Sequence, residues 1–277
     1  MKQYQVSNTT RKFCVTFLAL ALAFQWVTSW AQEEAPEVAQ EEEENLFYAE
    51  FGLGLYSADV WRGMIQNDEP VWTAGATFGL NFQECGRLYV DFSTTFDVTR
   101  RNDQTAFGGL NAIDYLVGYE FDVGDFTLGA GHVWHTYPKA NGPDYDASTR
   151  EFFATIAYNN DYVVPFAEAY YDYSVVEGVY AFVGLRKEVQ VMDQLTVGAE
   201  VTIGGESRRM NKYYYDGHTS RTGLSDFNAA LFAQYDLTEH IFVGATLAWA
   251  STLDSRLEDV WFKDHAPWGG INFGVAF

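Results

Sequence analysis

Histidines and carboxylates are the side chains of this chain with the most obvious chemistry, and their spacing narrows what that chemistry can be. His132 and His135 stand three apart. In an extended strand that spacing puts them on opposite faces, so they cannot share a metal ion there. His218, His240 and His265 fall in connecting segments. No metal site and no cofactor are expected. His135 with Asp97 and Asp172 could form the acid–base group of a hydrolase at a rim, but no nucleophile motif accompanies them and no enzyme activity is expected. Acids form the larger set. Strand parity puts Glu50, Asp91, Asp97, Asp114 and Glu120 on one inner face, and with them Glu168, Asp172, Glu188 and Glu200. Arg62 and Arg186 are the basic residues of that face. Rings of acids around a passage favour cations; the alternative is that they pair with each other, with Arg186 or with Tyr hydroxyls inside a filled interior. A second cluster, Arg208, Arg209, Lys212, Tyr213 and Tyr214 within 206–224, is basic in an acidic chain and could bind phosphate-bearing or other anionic ligands.

The elements that would position these residues are strands. After Asn45 there is no apolar run of 18 residues, so no spanning helix is expected. Period-2 alternation recurs instead in segments of roughly ten residues, the pattern of membrane-spanning strands. In 88–99, Leu88, Val90, Phe92 and Phe96 alternate with Tyr89, Asp91, Ser93 and Asp97. In 195–204, Leu195, Val197, Val201 and Ile203 alternate with Thr196, Gly198, Thr202 and Gly204. The pattern predicts twelve strands: 47–61, 70–82, 88–99, 111–121, 126–137, 149–158, 162–173, 178–189, 195–205, 225–237, 241–250 and 267–277. The fold class expected is all-β, a transmembrane antiparallel up-and-down barrel.

The links alternate in length. Those at 83–87, 122–125, 159–161, 190–194 and 238–240 are short, and most of the others are long. Outer-membrane barrels have short periplasmic turns and longer outer loops. Six Trp residues (Trp61, Trp72, Trp134, Trp249, Trp261, Trp268) map to the long-loop side, as expected for rings at the headgroup level. The last strand alternates Ile271, Phe273, Val275 and Phe277, and its terminal Phe277 suits recognition by the outer-membrane assembly machinery.

Residues 1–31 read as a signal peptide: basic Lys2, Arg11 and Lys12, an apolar stretch from Phe13 to Phe24, and Ser29-Trp30-Ala31 as the cleavage context. Residues 32–45 read as an acidic disordered tether, and 46–277 as the barrel. With the first 31 residues removed, 14 Lys and Arg remain against 38 Asp and Glu. That balance excludes nucleic acid as a partner. Expected partners are outer-membrane lipid, lipopolysaccharide and small solutes. Only Cys85 remains outside the signal, so no internal disulfide forms.

Ser57-Ala58-Asp59-Val60-Trp61-Arg62-Gly63-Met64-Ile65-Gln66-Asn67-Asp68 resembles the S-D-Y-x-F/W-R-G-x-S-Q-T/N-D signature of the TorF-type porin family, the Gcw_chp bacterial outer-membrane proteins. Ile65 replaces the family Ser, and Asp59 stands where the family has an aromatic. The resemblance implies an outer-membrane barrel and carries no catalytic residues. Together these features predict a porin-like channel for passive diffusion of small solutes in the cell outer membrane, cation-preferring. The alternatives are a surface-binding barrel that uses its outer loops, and a rim hydrolase.

Overall fold

The computed structural model describes residues 46–99, 110–138, 148–215, 221–258 and 263–277. The expected signal peptide and tether lie outside the described residues, as do His218 and Trp261. Twelve antiparallel strands close into one barrel. They are β1 (Phe47–Tyr56), β4 (Val71–Asn81), β5 (Arg87–Asp97), β6 (Leu110–Val123), β7 (Phe126–Thr136), β8 (Ser148–Tyr158), β9 (Val164–Asp172), β10 (Val179–Met192), β11 (Leu195–Glu206), β12 (Gly223–Asp236), β13 (Ile241–Thr252) and β14 (His265–Ala276). The remaining two strands, β2 (Asp59–Trp61) and β3 (Met64–Asn67), form a separate hairpin, and helix α1 spans Arg208–Tyr214. Each barrel strand pairs with its sequence neighbour, and β1 pairs with β14 from Glu50↔Ala276 to Tyr56↔Gly270. No open edge is left to solvent or lipid.

The period-2 pattern becomes two surfaces. Outward positions carry Phe51, Leu53, Val90, Phe92, Val183 and Leu185 among many other exposed apolar side chains. A continuous apolar face of this extent on a closed barrel requires a lipid surround. Lys187 lies on that outer face and reaches back to the Asp161 carbonyl in a short turn, with Nζ 2.5 Å from the oxygen, so its charge leaves the apolar zone.

Parts of the inner face are closely packed. Aromatic rings lie across glycines of the neighbouring strand: Tyr89 over Gly118, Phe166 over Gly184 and Phe232 over Gly198. A Cβ on Gly118 would stand 2.3 Å from the Tyr89 ring. Gly118→Val is therefore expected to destabilise the barrel by ~1–3 kcal/mol through overpacking. A lower urea midpoint at unchanged m-value would show it.

Two expectations are corrected here. The first strand ends at Tyr56, not at 61, because the Ser57 backbone and side chain bond to Gly269 (2.9 and 3.1 Å) and the chain leaves the wall. The Trp residues do not all sit at the headgroup level. Trp72, Trp134 and Trp249 face outward, but Trp61 and Trp268 are buried inside. Trp268 packs against Tyr56 on the inner face, and Trp61 belongs to the inner hairpin.

Candidate functional site: the hairpin inside the lumen

The segment 57–70 turns into the barrel. Val60 pairs with Ile65 and Trp61 with Met64 across a two-residue turn, Arg62-Gly63. Both turn residues have positive φ, 49° and 74°, as a hairpin turn matching strand twist requires. Glycine adopts this conformation freely. For Arg62 it costs about 1 kcal/mol or more, so its surroundings must over-determine it. They do so on both sides. Val60 and Ile65 pack on Ala248, Ala250, Ala266 and Trp268 of β13 and β14. Trp61 and Met64 pack on Tyr215 and on Leu257 of the last long loop. Asn67 donates to Asp97 at 2.6 Å. Gly63 lies against Asp226, leaving no room for a side chain.

Arg62 is carried by this hairpin across the lumen to the opposite wall. Its Nη1 donates to Glu151 Oε1 at 3.0 Å and its Nη2 to Glu151 Oε2, a two-pronged pair. The guanidinium stands 4.3 Å from the Trp61 ring centroid, 4.8 Å from Tyr170 and 4.6 Å from Tyr180. Such contacts strengthen when water is excluded. His135 lies beneath, with Nδ1 2.7 Å from Asp114 and Nε2 3.5 Å from Glu151.

Of the expected inner-face residues, Glu50, Arg62, Asp91, Asp97, Asp114, Glu120, Glu168, Asp172 and Arg186 are all buried inside. Glu188 and Glu200 are partly buried beside Arg186: Glu188 Oε1 is 2.5 Å from Arg186 Nε, and Glu200 is its cross-strand partner. Asp91 accepts from Thr77 at 2.6 Å, Glu120 pairs with Arg87, and Tyr170 donates to Glu168 at 2.6 Å. Asp172 accepts from the backbone N–H groups of Ser174, Val175 and Val176, so it shapes a loop. His135, Asp97 and Asp172 thus hold separate partners and do not assemble as an acid–base group. His132 faces outward, bonded to the Tyr173 hydroxyl at 2.7 Å.

The basic loop forms α1 rather than a free segment. Met210 is buried against Tyr180 and Val176, while Tyr214 packs edge-on to Trp61 at 5.0 Å. Tyr214 is therefore turned into the barrel mouth and is not available for surface binding. Arg208, Arg209, Lys212 and Tyr213 do face outward. Arg209 pairs with Glu177 of the adjacent loop. Burial raises the Tyr215 phenol well above its ordinary range, with Glu206 and Asp226 adding to the shift.

Glu151, Glu206, Asp226 and Arg87 were missed as inner residues. Glu151 and Asp226 follow from the parity of their strands. Arg87 and Glu206 each lie one residue beyond an expected strand end.

No protein-family model matches the chain, and no curated protein matches it. Among solved structures, an outer-membrane channel from Pseudomonas putida F1 is similar, with a TM-score of 0.51 at 10% identity over 87% of this chain and 100% of that one. The NanC porin gives a TM-score of 0.51 at 14% identity over 83% and 98%. At these identities the likeness is one of fold: the chain is built as an outer-membrane β-barrel.

Proposed function

We propose that this barrel is a porin-like outer-membrane channel for small solutes, constricted by the 59–67 hairpin and preferring cations. Lumen charge carries the reading. Among the described residues eleven acids are buried against three arginines. Each arginine is committed to an acid, so those of the remaining carboxyls that ionise in a hydrated lumen make the surplus negative. Fixed negative charge between low-dielectric walls raises the local cation concentration. Lipid covers the apolar belt, lipopolysaccharide phosphates meet the outward cations of α1, and the exposed Phe277 engages the assembly machinery. The segment resembling the TorF-type signature is the one that forms the constriction.

In a planar bilayer with a KCl gradient, the current is expected to reverse on the potassium side of zero. Reversal on the chloride side overturns the cation preference, and absence of unitary current overturns the channel. A second reading, ligand capture at the surface, draws on the outward placement of Arg208 and Lys212. It requires binding that is lost on their replacement by Ala while conductance is absent.

A further inference from the structure

Each of the three arginines buried inside the barrel among the described residues has a carboxylate and an aromatic ring beside it. Arg62 has Glu151 and the rings of Trp61, Tyr170 and Tyr180. Arg87 has Glu120 and the Tyr48 ring at 5.8 Å. Arg186 has Glu188 and the Phe232 ring at 5.3 Å. The lumen thus repeats a carboxylate with an aromatic ring beside it, two-pronged at Arg62, and that chemistry suits a planar guanidinium.

Beside the hairpin tip stands a carboxylate in the same kind of setting with no such partner. Glu206, at the long-loop end of β11, is 2% exposed, yet neither of its carboxylate oxygens has a hydrogen-bond partner among the described residues. Asp226, Arg62 and Glu151 are the charged groups around it. Tyr180 is its cross-strand partner, and the Tyr215 phenol lies within its electrostatic reach. Asp226 is already engaged, with Ser225 (2.6 Å), Asn228 (2.8 Å) and the Tyr180 hydroxyl (3.3 Å). Glu151, Glu206 and Asp226 against Arg62 leave the chamber two negative charges in excess when all are ionised. An unpaired buried carboxylate is costly, so the chamber favours a cation that offers two parallel donors.

We propose that the chamber bounded by the hairpin tip, α1 and the long-loop ends of β10–β12 binds a guanidinium-bearing solute, with Glu206 as its carboxylate partner and Tyr180 and Tyr215 as its walls. A hard metal ion fits less well. It seeks six or more oxygens or a retained water shell, and no group of three metal-ligating side chains occurs among the described residues. This names a solute class for the channel and rests on the channel reading for passage only. Binding stands apart from it.

The test is calorimetric titration of the folded barrel in detergent with methylguanidinium, with urea as a planar neutral control and sodium and calcium as competitors. Saturable methylguanidinium binding is expected, unaffected by urea and resistant to both metals. Glu206→Gln is expected to weaken it by about tenfold or more through loss of the charge-assisted fork, with the barrel still folded because a buried unpaired charge is removed. Absence of saturable binding, equal affinity in folded Glu206→Gln, or displacement by calcium or sodium overturns the proposal. If Glu206→Gln fails to fold, the competition on the native chain decides alone. Binding without unitary current leaves the site and removes the channel. Current without binding does the reverse.

Discussion

Replacing Asp59–Asn67 with a short Gly-Ser link is expected to raise single-channel conductance several-fold while the barrel stays closed. The hairpin contributes nothing to the wall ladder: β1 and β4 pair with each other over Phe47↔Leu80 to Tyr56↔Val71, on either side of the segment removed. What the hairpin supplies is bulk inside. Ile65 is fully buried against β13 and β14, Trp61 and Met64 pack on Tyr215 and Leu257, and Arg62 reaches β8, β9 and β10. Passage through a narrow aqueous path is limited by its tightest section, so taking these side chains away should affect current far more than any change on the outer face. Retention of the heat-modifiable folded band on gels would show that the wall survived. Unchanged conductance in such a folded variant would place the constriction elsewhere.

Glu151→Ala is expected to be the most destabilising single substitution in the lumen, by ~3–5 kcal/mol, because it leaves Arg62 buried without its carboxylate. His135 loses its second partner in the same step. The neutral replacement of both, Arg62→Met with Glu151→Leu, is expected to recover much of that loss, since the uncompensated charge goes with its partner. Urea unfolding of the four members of this cycle in detergent measures the coupling. Additive effects would mean that the pair seen in the structure carries no net energy.

The barrel wall was legible from residue types alone because a single rule governs it. Lipid outside and a packed interior impose alternation on every strand, so Phe92 and Asp91, or Val201 and Glu200, announce their faces. The hairpin was not legible, for a local reason. Trp61 keeps the outward parity of β1, Asp59 and Val60 break the pattern only briefly, and nothing in an Arg residue signals that Arg62 will adopt a positive φ to turn the chain inward. Helix α1 did carry a signal: Met210 and Tyr214, four apart, make an apolar side on an otherwise polar segment. Its charges drew attention to the wrong side of it. Arg87 and Glu206 were lost because strand ends are where alternation gives out.

The seam between β1 and β14 sets a sequence of events. Every other wall pairing joins neighbours along the chain, but Ala49 bonds to Phe277 at the far terminus. Closure therefore waits for the last strand. The hairpin follows β1 directly, yet its docking surface is made of Ala248, Ala250, Ala266 and Trp268. That part of its seat is missing until those late strands are in place. A barrel that lacks β13 and β14 is thus both unclosed and short of the apolar seat on which Val60 and Ile65 rest.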